Sequence, residues 1–178
     1  MRHSMVVALA AVFALAGCSK WNVIQEKDSG AMNGQESFVL HPLSFDAAQI
    51  DGERAPQWLA AQDAEQKAAW PIEKDYIWQA FRKTVEQNVG DLKLTSKENP
   101  GAATIVLKPS VTELETGGYR KTIMTVGLQV IDPQGVVLEE ISTTVKGSRR
   151  DEFKVRLAAA AEAAAENVAK YLRKRSGK

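Results

Sequence analysis

One cysteine and two histidines in 178 residues leave little room for covalent or metal chemistry. A lone thiol closes no disulfide within the chain and builds no cysteine zinc cluster. His3 stands at the extreme N-terminus, so only His41 remains in the body of the chain. That leaves almost nothing for a histidine metal site or a Ser-His-Asp triad. Charge of one sign is lacking too, with 23 Lys and Arg against 22 Asp and Glu. Without a basic excess the chain has no electrostatic footprint for phosphate backbones, and nucleic acid is not an expected partner. No G-x-S-x-G, Walker-type loop or dinucleotide fingerprint occurs. No catalytic residue, cofactor or metal is therefore expected. Apolar residues at 44% and charged residues at 25% are the balance of a soluble globular chain with room for one ordinary domain.

What is present begins with an address. Arg2 supplies a short positive start, and Met5 to Leu15 is an apolar run of eleven residues. That run has the length of a signal-peptide core and is too short to span a bilayer as a helix. It ends in Leu15-Ala16-Gly17-Cys18, which resembles the lipobox of bacterial lipoproteins. The resemblance implies a signal peptide over 1–17, a mature chain beginning at Cys18, and acyl chains carried on that thiol. Several acyl chains, each contributing about 0.8 kcal/mol per buried CH2, make such an anchor permanent. Loss of Arg2 brings acidic and basic residues to parity. Ser19 follows the cysteine where inner-membrane retention uses Asp, which by the enterobacterial sorting rule implies the outer membrane, facing the periplasm.

Residues 18–36 are polar, contain glycine and lack periodicity, and read as a lipidated tether. About 18 flexible residues reach roughly 20–25 Å. Trp21 is placed either among lipid headgroups or free in solvent. Ser37 to Leu43 reads as a first strand broken at Pro42, and 56–69 favour helix with Pro56 in the first turn. Pro71 is expected to open a second helix, with Ile77, Phe81 and Val85 at helical spacing and Gly90 at its end. From Leu92 the period changes to two. Ala103 to Glu115 is β-rich with Pro109 at a bulge or edge, and Met124, Val126, Leu128 and Val130 alternate with polar neighbours. Asp132-Pro133-Gln134-Gly135 is a turn leading into a second hairpin arm, Val136 to Lys146.

The last element is an Ala-rich helix of about 22 residues with one apolar stripe through Phe153, Leu157, Ala161, Ala164, Val168 and Leu172. Ser148 and Asp151 have the spacing of a capping box. Together these elements predict a single two-layer α+β domain over 37–178. Its mixed, mostly antiparallel sheet carries helices on one face, and 46–70 is a Trp-containing helical insertion.

The lipobox, this order of elements, the segment Val111-Thr112-Glu113-Leu114-Glu115 and the hairpin Val130 to Leu138 resemble small periplasmic lipoproteins with a TolB-amino-terminal-like fold. That group includes the curli-secretion lipoprotein and activators of penicillin-binding proteins. The resemblance covers roughly 37–175 and implies a non-catalytic protein that binds other envelope proteins. The expected partners are the membrane through Cys18 and another envelope protein or a second copy of the chain. An oligomeric accessory of a secretion system and a wall-saccharide protein using Glu113 and Glu115 stay open as alternatives.

Trp58, Leu59 and Trp70 are the candidate partner-binding residues, since interface hot spots are rich in Trp. The same rings serve equally to staple the insertion to the core. His41 reads as a structural histidine, with a base or lone metal ligand the other reading. Five basic residues among Lys170 to Lys178 either complement the helix dipole or meet an acidic surface.

Overall fold

The computed structural model describes residues 21–27, 30–95, 104–116, 122–147 and 152–178. Cys18, Gly117, Gly118, Ser148 and Asp151 lie outside the described residues. The chain runs β1 (Asn22–Glu26), β2 (Ser37–Leu40), β3 (Gln49–Ile50), β4 (Glu53–Arg54), α1 (Ala55–Ala61), α2 (Ala64–Asn88), β5 (Lys93–Thr95), β6 (Ile105–Glu115), β7 (Ile123–Ile131), β8 (Val137–Lys146) and α3 (Phe153–Ser176). The class is α+β, as the pattern predicts.

The strands form one mixed sheet in the order β1-β8-β7-β6-β2-β5. Its β1, β8, β7 and β6 ladders are antiparallel, whereas β2 is parallel to both β6 and β5. Parallel neighbours need a long crossover, and the stretch holding α1 and α2 supplies it.

Side-chain alternation sets the two faces. Met124, Val126, Leu128 and Val130 of β7 are buried, while Thr125 and Gln129 between them are half-buried. Val111 and Leu114 of β6 are both buried although three positions apart. A register shift between Val111 and Glu113 makes Thr112 an extra residue and resets the parity. Against this apolar face pack Ile77, Phe81 and Val85 of α2 and Leu157, Ala161, Ala164, Val168 and Leu172 of α3. The alanines let α3 lie close on β7 and β8. The opposite face carries Thr125 and Thr144, whose hydroxyls are 3.0 Å apart.

Pro109 sits inside the sheet rather than at its edge, paired with Leu128 of β7. Its carbonyl accepts from Ser44 N–H on the β2 side, at 3.1 Å. A strand residue's N–H and C=O point the same way, so the missing donor falls where His41 to Leu43 bow away from β6.

Three expectations are corrected. The tether reading of 18–36 fails for Asn22–Glu26, which pair with β8 as an edge strand. All five residues are exposed, so no alternation marked them. Pro71 does not open a helix but lies within α2, which begins at Ala64 under an Asp63 cap that accepts from Gln66 N–H at 2.8 Å. The cost is the donor that Lys67 C=O lacks. The insertion at 46–70 is only partly helical. Its first half is a hairpin of β3 and β4 around Asp51 (φ 51°) and Gly52 (φ 85°), the two positive φ values a tight primed turn needs. Through β3 the hairpin joins β6 in parallel.

Candidate partner groove and N-terminal clamp

Pro56 lies in the first turn of α1, where its absent N–H costs nothing. The helix stops at Gln62, Asp63 caps the next one, and the bend folds Trp58 back onto Trp70. Their ring centroids are 5.2 Å apart, and Phe45 meets Trp70 edge-on at 5.6 Å. Trp58 is 9% exposed and Trp70 3%. An exposed anchor needs an exposed ring, and neither tryptophan has one. The surface-anchor expectation for Trp58 and Trp70 is therefore corrected: they staple the insertion to the core. Leu59 is half-buried and packs against the same core.

What this staple leaves at the surface is a groove. One depression of about 340 Å³ is lined by Phe45, Asp46, Ala55, Pro56, Leu59, Trp70 and Lys74. A second, of about 360 Å³, runs over Pro42, Leu43, Ser44, Asp75 and Trp78 and shares the wall of Phe45, Asp46 and Lys74. The floor is aromatic and the rim is charged. Asp46 is held in place by Ser44, whose hydroxyl donates to its carboxylate at 3.0 Å and accepts its N–H at 3.1 Å. Outside the groove, on the outer face of α2, Ile72 (73% exposed) and Tyr76 (49%) form an apolar pair one turn apart. Such an arrangement can receive apolar side chains of a partner and orient them by charge.

The sequence reading missed a second cluster. Glu139 of β8 is fully buried. Its Oε2 accepts from the Tyr171 hydroxyl and from Arg175 Nε at 3.0 Å, with Arg175 Nη2 at 2.9 Å. The same guanidinium reaches Glu26 of β1 at 2.5 Å. Trp21 then stands edge-on to Tyr171 at 5.5 Å, with the Lys174 ammonium 5.8 Å from its ring centre. Burial works against the Arg175 charge, but Glu26, Tyr171 and Glu139 more than offset it and raise its pKa. Burial, then the Glu139 carboxylate, raises the Tyr171 pKa. Arg175 thus turns inward to a buried carboxylate, instead of only complementing the helix dipole. Arg173 and Lys174 remain exposed at the surface.

The other candidates are scattered. His41 is half-buried just past β2, its N–H donating to Leu107 C=O at 2.9 Å. Glu113 and Glu115 are exposed on β6. Among the described residues no group of three metal-capable side chains converges, and no helix is long and apolar enough to cross a membrane.

No family model and no curated protein matches this chain. Solved structures are similar at a distance. A PelC dodecamer from Paraburkholderia phytofirmans shares 13% identity, with 83% of this chain and 96% of that chain covered, at a TM-score of 0.46. A DUF330-family protein from Xanthomonas campestris shares 15%, with 84% and 88% covered, at a TM-score of 0.38.

Proposed function

We propose that this protein is a non-catalytic lipoprotein of the bacterial envelope. It is anchored by acyl chains on Cys18 in the outer membrane, faces the periplasm, and binds another envelope protein as an adaptor or assembly factor. The resemblance to TolB-amino-terminal-like lipoproteins belongs to this proposal. The observation that carries the binding role is the α1/α2 flank, where a groove of aromatic floor and charged rim lies on the same helix as exposed Ile72 and Tyr76. Apolar surface bordered by charge is the anatomy of a protein interface.

The outer edges of the sheet are poor templates for strand addition. One edge strand, β1, carries a bulge, and the other, β5, has three residues. Partner contact is therefore assigned to the helical flank. The test is crosslinking in living cells followed by capture of the lipidated protein, with Ile72→Asp and Tyr76→Asp as variants. A single envelope protein captured by the wild type and lost in both variants, at unchanged melting temperature, is expected. Capture that is indifferent to both variants contradicts the flank.

Self-association is the second reading. It is favoured by apolar patches on two different elements, Val23 with Ile24 on β1 and Ile72 with Tyr76 on α2. Head-to-tail assembly joins unlike surfaces of this kind. Self-crosslinks alone would support it over the adaptor.

A further inference from the structure

We propose that the β1 edge, together with the basic end of α3, is a surface that lies against an anionic phospholipid bilayer. The proposal rests on the Cys18 anchor proposed above. Trp21 to Glu26 belong to the folded domain. Trp21 packs on Tyr171, β1 is laddered to β8, and Glu26 is clamped by Arg175. Cys18 precedes Trp21 by three positions, a reach of about 10 Å for extended chain. A lipid at that point brings this edge to the headgroups and leaves no slack for the domain to turn away.

The edge presents what an interface with lipid requires. Val23 is 48% exposed and Ile24 61%, beside the half-buried Trp21 ring. Lys174 reaches over that ring and Lys27 continues β1. Lys170, one turn before Lys174, is 3.5 Å from Glu166, and Glu26 is already engaged by Arg175. Lys27 and Lys174 have no carboxylate within ion-pair distance among the described residues, so they are the cations this edge can offer to anionic headgroups. Aromatic rings and lysines with apolar stems are the side chains that settle at a membrane surface. A protein strand is a poorer occupant. The register shift between Val23 and Gln25 makes Ile24 a bulge residue and interrupts the outward ladder that strand pairing uses.

The full lipidated protein tests this in vesicles of phosphatidylethanolamine and phosphatidylglycerol with brominated acyl chains. Trp21→Phe isolates the contribution of Trp21 from the other tryptophans by difference. Bromolipid is expected to quench an emission component that disappears in Trp21→Phe. Each of Lys27→Gln and Lys174→Gln is expected to weaken the docked orientation about fivefold, as does a change to phosphatidylcholine. Ile24→Ser, at a solvent-facing side chain, is expected to reduce the quenching as well.

The intact mass of the same preparation separates the two ideas. A mature chain without acyl mass overturns the anchor and this surface with it. An acylated chain whose Trp21 is not quenched, or is quenched equally whatever the charge, overturns the surface alone.

Discussion

Glu139 is a carboxylate at 0% exposure, with Tyr171 and Arg175 on one oxygen and no hydrogen-bond partner among the described residues for the other. A buried charge with one partner removed is far more costly than an exposed pair broken at the surface. Arg175→Ala is therefore expected to cost about 3–5 kcal/mol in urea unfolding, because it strands Glu139. Glu26→Gln, at a side chain 36% exposed, is expected to cost about 1 kcal/mol or less. Equal losses in the two variants would mean that Glu139 is not held by Arg175. Tyr171 adds a pH dependence of definite sign. Burial and the neighbouring carboxylate raise its pKa in the folded state, so the unfolded chain loses this proton first. Stability is unaffected well below about pH 10 and falls as pH rises beyond it, because the unfolded state then binds fewer protons. Urea unfolding between neutral and strongly alkaline pH should show this fall, and Tyr171→Phe should flatten it. An identical alkaline slope in the variant would contradict the buried hydroxyl.

At the scale of elements, the tryptophan staple makes the sharpest distinction. Trp70→Ala is expected to destabilise the domain by about 3–5 kcal/mol through a cavity beside Phe45 and Trp58. Ile72→Ser, two residues on but solvent-facing, should stay within about 0.5 kcal/mol. Thermal and urea unfolding of the pair decide whether these residues hold structure or surface. Gly147 offers a second test at the junction after β8. A Cβ there would come 2.9 Å from the Arg156 carbonyl, so Gly147→Ala should cost about 1–3 kcal/mol and should loosen the start of α3 in hydrogen exchange. Elements with a long repeated signal were legible: the α3 stripe, the β7 alternation and the Asp132–Gly135 turn stand as read. Those whose signal is short or contrary were not. β1 has five exposed residues and nothing to alternate. Asp51-Gly52 did carry a hairpin signal, but the strands it joins are only two residues each. Pro71 reads locally as a helix start, yet the Asp63 cap and the packing of Trp70 carry α2 through it.

For the whole molecule, the candidate site was legible only as chemistry, not as exposure. Trp58, Leu59 and Trp70 were visible as apolar residues in an insertion. Whether a ring faces water depends on Phe45 folding over it, which no local pattern encodes. The clamp was less visible still, since Glu139 and Arg175 are 36 positions apart and Glu26 and Arg175 are 149 apart. Its effect is global. It turns part of an apparent tether into a fixed edge, so that a lipid at Cys18 would orient the domain as well as retain it. The most direct test is the intact mass of the protein extracted from bacterial membranes, compared with Cys18→Ala. A wild-type chain beginning at Cys18 and carrying acyl mass, with the variant unprocessed, is expected. A wild-type chain of full length, or one cleaved but unacylated and recovered in the soluble fraction, would contradict the lipoprotein reading at its root.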